Sequence, residues 1–144
     1  MQNSAYSSGR MFMERLPYQE DLLPVLQEFC IRHHIVAGSL SVIGAVSQGA
    51  FAFYDQVKRS YQTITLDEEL EIVSCQGNIS ILNEKPFAHA HILFSKTNGQ
   101  VLGGHLVEGT ILFAGELTLQ EWIGPERIRE WDSQTGLNLW KGLF

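Results

Sequence analysis

Cysteine is scarce in this chain: Cys30 and Cys75 are the only two among 144 residues. They allow one bridge at most. The N-terminus lacks the basic, then apolar, then small-residue order of a signal peptide, so both are expected as buried thiols in a reducing cytoplasm. Basic residues are also short. Ten Lys and Arg against sixteen Asp and Glu give a net charge of -6, and the ten are scattered. That balance argues against a general nucleic-acid surface, whose affinity comes from clustered cations. No apolar run approaches the roughly 18 residues of a membrane span. Internal repeats and low-complexity segments are missing as well, which leaves one ordinary globular domain as the expectation.

The tail, residues 1–9, is small and polar without a period and is expected to be flexible; the single domain is placed at 10–144. "RMFMERL" begins a first strand. In "YQEDLLPVLQEFCIRHH" the residues Leu22, Leu23, Leu26, Phe29 and Cys30 follow helical spacing. Pro24 is tolerated only in a first turn, so the helix should start near Glu20. Glu20 and Asp21 then sit at its positive end, and His33 with His34 would cap its negative end as cationic side chains. From Ile35 onward, short alternating segments broken by glycines predict antiparallel strands at 35–46, 50–54, 59–65, 69–74, 77–82, 86–95, 101–107 and 110–119. The fold class is therefore α+β, a sandwich-like antiparallel sheet with one long helix packed on it. Trp122, Trp131 and Trp140 are expected to pack over the sheet or against another subunit.

Three of the five histidines fall in "HAHILFSKTNGQVLGGH". Alternation puts Ala88, Ala90, Ile92 and Phe94 on the core face and Phe87, His89, His91 and Leu93 on the other. Whether His105 joins them depends on the turn. A two-residue Asn98-Gly99 turn turns His105 to the wrong face, whereas a loop of Thr97, Asn98 and Gly99 pairs His91 with His105 and carries Leu102 and Leu106 to the core. The apolar pattern prefers the second. The three imidazoles then converge as ligands for a divalent ion, with zinc first and iron, nickel or copper also compatible. Gly103-Gly104 reads either as a bulge or as room for a backbone or ligand to approach, and the lone glycine of "QGN" as a bend.

Catalysis is harder to place. A tight Glu108-Gly109 turn would set Thr110, Leu112 and Ala114 beside His105, with Glu116 further along, so no general base adjoins the presumed metal. No catalytic residue is assigned.

The stretches "RLPYQEDLLPVLQEF", "AGSLSVIGAV", "LEIVSCQGNIS", "HAHILFSKTNGQVLGGHLVEGTI" and "REWDSQTGLNLW" occur in an order that resembles the PPC (plants and prokaryotes conserved) domain, in its stand-alone prokaryotic form. The resemblance implies the sheet-and-helix fold, assembly into a homotrimer, and a metal, assigned as zinc in similar prokaryotic members, on His89, His91 and His105. Plant members carry an AT-hook arm that is missing here, and Arg10, Lys58-Arg59 and Arg127 with Arg129 make no basic stripe. The leading expectation is a trimeric, metal-binding, DNA-associated or regulatory module. The alternatives are a zinc-water hydrolase or lyase acting on a small polar substrate, and a protein in which the metal grips a small-molecule ligand such as an acid.

Overall fold

The computed structural model describes residues 5–142. The chain runs β1 (Ser7–Leu16), α1 (Leu22–Arg32), β2 (Gly38–Asp55), β3 (Ser60–Leu66), β4 (Leu70–Leu82), β5 (Lys85–Ser95), β6 (Val101–Leu106), β7 (Ile111–Ile123), β8 (Arg129–Asp132) and β9 (Leu137–Trp140). Strands β1 to β7 form one antiparallel sheet in the order β1-β7-β2-β4-β5-β6, with β3 on β2, and β8-β9 form a separate hairpin. The sheet closes on itself because β6 also pairs with β2, through Phe51 with Leu106 and Ala52 with His105. This curled single sheet takes the place of the expected sandwich.

One 18-residue strand makes that closure work. The first half of β2 lies between β4 and β7, and its second half between β3 and β6. Register shifts against β7 at Ala45/Val46 and Val46/Gln48 bend it, as bulges do. The segments 35–46 and 50–54, separate in the sequence reading, are thus one strand with a bend. Likewise 69–74 and 77–82 are continuous in β4, where Gly77 marks a close backbone approach of β5 rather than a break.

The helix is short, 11 residues, and the expectation of a long one is corrected. Its start is fixed from outside: the Leu22 N–H donates to the Thr110 carbonyl, and the Asp21 carboxylate accepts from the Gly109 N–H at 2.7 Å instead of capping the helix. Its end is a backbone cap. The Ile35 N–H donates to the Cys30 carbonyl and the His34 N–H to that of Ile31, with His34 in the left-handed region at φ 54°, which is a Schellman arrangement. The expected cationic caps are replaced by this pattern, and the His33 ring packs on Phe29 and Phe12. Leu22, Leu26 and Cys30 are buried against the sheet, where Ala88, Ala90, Ile92 and Phe94 meet them as the alternation of β5 predicts. Each fully buried leucine contributes about 1.5–3 kcal/mol by leaving water. Gln27 locks the helix to β5, accepting from the Ala88 N–H at 3.0 Å and donating to the Pro86 carbonyl.

At the N-terminus, Ser7 and Ser8 pair with Ile123 and Trp122, so the last three residues of the expected tail, 7–9, belong to β1; residues 1–4 lie outside the described residues. No helix among the described residues is long and apolar enough to cross a membrane.

Candidate metal centre

The β5-β6 connection carries the geometry that the apolar pattern prefers. The Lys96 N–H donates to the Gln100 carbonyl, the Gly99 N–H donates to the Lys96 carbonyl, and Gly99 takes φ 81° as the left-handed residue of the loop. The Asn98 side chain adds rigidity by accepting from the Gln100 N–H at 2.9 Å. His91 then pairs with His105.

The paired glycines settle why β6 fits where it does. A Cβ on Gly103 would overlap the Ile92 carbonyl oxygen, and one on Gly104 would stand 2.6 Å from the Ala52 carbonyl oxygen. Both approaches are made by backbone, β5 on one side and β2 on the other. β6 is therefore flanked by β5 and β2, not by β7. This corrects the expected β6-β7 hairpin: Thr110, Leu112, Ala114 and Glu116 are not neighbours of His105, whose partner across the second ladder is Ala52.

His89, His91 and His105 come together. Their candidate ligand nitrogens all lie within 4.8 Å of one another, and the ring centroids are 5.2, 5.1 and 5.7 Å apart in pairs. Tetrahedral coordination at about 2.1 Å sets nitrogens roughly 3.4 Å apart, so side-chain rotations of about 1 Å would seat an ion. The electronic state suits that. Burial holds the His89 imidazole down at about 4, helped by the charges of Arg129, His105 and His91. Burial, with His91 and Arg129, also lowers His105. Neutral imidazole is the form that ligates. Nδ1 of His105 is buried without a hydrogen-bond partner among the described residues, a cost of about 1–3 kcal/mol that a ligated ion would remove for a nitrogen facing it. The residues fit a metal.

Three features of the site escape the sequence reading. Tyr61 of β3 stacks on His105 at 4.8 Å and 26°. Arg129 of β8 reaches under the cluster: Nε donates to Ser80 Oγ at 2.8 Å, Nη2 to Asn78 Oδ1 at 3.0 Å, and Nη2 lies 3.4 Å from His89 Nδ1. The β8-β9 hairpin also closes one side of a cleft of about 240 Å³ whose walls include Phe87, Trp131, Leu137 and Leu139. Tyr54 and Arg59 hold the hairpin in place by donating to the Thr135 and Ser133 carbonyls. Nothing in spacing or periodicity links Arg129 to His89, 40 residues away. Of the tryptophans, Trp131 is 67% exposed and Trp140 lies against Arg127 and Arg129.

Comparison with known proteins fits this geometry. The metal-containing protein of Archaeoglobus fulgidus is 39% identical, with 99% of this chain and 100% of that one covered and a TM-score of 0.92. A plant- and prokaryote-conserved (PPC) protein of Pyrococcus horikoshii is 34% identical over 100% and 99% of the two chains, with a TM-score of 0.93. A candidate DNA-binding protein of Bacteroides thetaiotaomicron is 27% identical over 94% and 96%, with a TM-score of 0.84. No protein of curated function matches. The model of the Plants and Prokaryotes Conserved (PCC) domain matches residues 3–123, and the chain belongs to that family.

Proposed function

We propose that this chain is a metal-binding PCC-domain protein that holds a divalent transition metal, zinc first, on His89, His91 and His105, and that it works in the cytoplasm as a homotrimeric regulatory module associated with DNA. The observation that carries the metal is the convergence of three imidazoles, with ligand nitrogens within 4.8 Å, on paired strands. A bound ion would supply a Lewis-acid centre with an open coordination position.

The trimer draws support from the sheet face that bears the histidines. Met13, Thr118, Ser41, Gln76, His91 and His105 form one row across six strands. Met11, Met13 and Ile43 are exposed on that same face, 69%, 78% and 52% respectively. Exposed apolar side chains beside a polar row fit a surface covered by other copies. The DNA association rests on the name of the Bacteroides relative, and the net charge of -6 points away from a direct grip on phosphates. Arg129 and Arg59 are turned to internal hydrogen bonds. A role through partner contact suits these residues better.

Elemental analysis tests the metal: one equivalent per chain is expected in the purified protein and none in H89A/H91A/H105A. Equal content in both would refute it. Light scattering should give three times the chain mass, and a monomer would overturn the assembly. Retention of duplex DNA at low salt, where phosphate contacts are strongest, separates direct from indirect association.

A further inference from the structure

We infer that the fourth position of this metal is built for a small organic acid, held between the ion and Arg129, an inference that rests on the metal reading above. Charge is the first reason. A divalent ion on three neutral imidazoles keeps its full charge, and Arg129 places a second cation 3.4 Å from one of those imidazoles. Among the described residues lining the cleft there is no Asp or Glu. Arg129 itself makes no ion pair among the described residues; its partners are the hydroxyl of Ser80, the amide oxygen of Asn78 and the carbonyl of Asn138. Two uncompensated cations at a half-buried site repel each other, and an anion between them removes that penalty.

The guanidinium is also set up as a receptor. Its Nε and Nη2 donors are fixed by Ser80 and Asn78, and its Cζ lies over the Phe87 and Trp140 rings, 5.5 and 5.7 Å from their centroids. An ion bound through Nδ1 of His89 would end the Nη2 contact to that nitrogen and free the donor for a ligand. Arginine donors pair with carboxylates in a planar fork, which a water molecule cannot match.

The rest of the cleft sets the body of the ligand. Phe87, Trp131, Leu137 and Leu139 make an apolar wall. About 240 Å³ is below the range of roughly 300–1,000 Å³ that holds drug-sized ligands, so the acid is small. A monocarboxylate with a compact apolar or aromatic body satisfies the charge, the fork and the wall together.

The test uses cobalt-loaded full-length protein, with metal content measured on the same sample, titrated with benzoate and with its uncharged isostere benzamide. Binding is followed by calorimetry and by the visible absorption of the cobalt. Benzoate should bind and shift the cobalt spectrum, benzamide should bind at least tenfold more weakly, and R129M should keep its metal while losing benzoate affinity about ten- to a hundredfold. R129K, which keeps the charge without the fork, should fall between, and it serves if R129M does not fold. Protein that will not take up metal refutes the metal reading and this inference with it. Loaded protein that ignores benzoate at 10 mM, binds benzamide equally well, or binds benzoate equally well in R129M and R129K refutes the inference alone.

Discussion

Gly103→Ala is the substitution that most directly asks whether the histidine cluster depends on the pinching of β6 between β5 and β2. The added methyl would overlap the Ile92 carbonyl oxygen and stand 2.8 and 2.9 Å from the Ile92 carbonyl carbon and the Leu93 Cα. All three are backbone atoms of a hydrogen-bonded strand, so no rotamer change relieves the contact. Overpacking costs about 1–3 kcal/mol where side chains can adjust, and a rigid backbone neighbour puts this site at the top of that range. For a chain of 144 residues the unfolding entropy corresponds to roughly 0.3 kcal/mol per degree, so about 3 kcal/mol lowers Tm by about 10 °C. Gly99→Ala is the matched control, because its methyl meets nothing within 4 Å and its only penalty is the left-handed φ of 81°, about 1–2 kcal/mol or roughly 3–7 °C. Thermal denaturation at fixed concentration, followed by metal analysis, gives both readouts. G103A should melt about 10 °C lower and lose metal, since His105 moves with β6, and G99A should melt only slightly lower and keep it. A G103A protein within 3 °C of the parent and fully loaded would show that the close β5-β6 approach is not what positions His105.

Leu26→Ala, at a fully buried position of α1, should cost about 2–5 kcal/mol by chemical denaturation while metal content stays unchanged, because the helix packs away from the cluster. Cys30 and Cys75 are both pushed up to about 12 by burial, so the native protein should show no reaction with a thiol reagent at pH 8, and both should react once it is unfolded in urea. The Arg10 guanidinium, donating to both Glu121 carboxylate oxygens at 2.7 Å, holds that carboxyl below its ordinary value of 4.5. A lowered carboxyl stabilises the fold above its unfolded value and loses that contribution as pH falls through the folded one. The advantage of the parent over E121Q in urea midpoint should therefore be constant at neutral pH, begin to shrink near pH 4.5 and disappear only once pH has fallen through the lower folded value.

The β5-β6 hairpin was legible because its information is local. Alternation in "AHAHILF" separates two faces within seven residues, and the turn composition chooses a register that brings His91 opposite His105. The neighbours of that hairpin were not legible. Which strand flanks β6 is decided by the closure of the sheet through β2, a contact between Ala52 and His105 that no turn dictates. The same limit hid Arg129 and Tyr61, whose side chains reach the site from strands far away in sequence. The apolar spacing locates the helix and its end at His33-His34, while its start falls at Leu22 rather than near Glu20 because the Leu22 N–H and the Asp21 carboxylate are engaged by Thr110 and Gly109, tertiary contacts that local sequence does not advertise.

The bend in β2 explains why the core and the site can differ so much in character on one sheet. Before the bend, Leu40, Val42 and Val46 are buried with the helix side of the core. After it, Ala52 pairs with His105 on one side and with Thr63 of β3 on the other, while Tyr54 meets the Tyr61 ring at 5.0 Å and donates to the Thr135 carbonyl of the hairpin. The second half of one strand thus sets the position of β6, β3 and the β8-β9 hairpin together. A one-residue slip there would reverse which residues face the cluster and would free the hairpin that carries Arg129. The break that the sequence suggests between 46 and 50 is where this division falls. Phe51 keeps the second half in the core, and from the bend onward the same strand also holds β6, β3 and the hairpin around the three histidines.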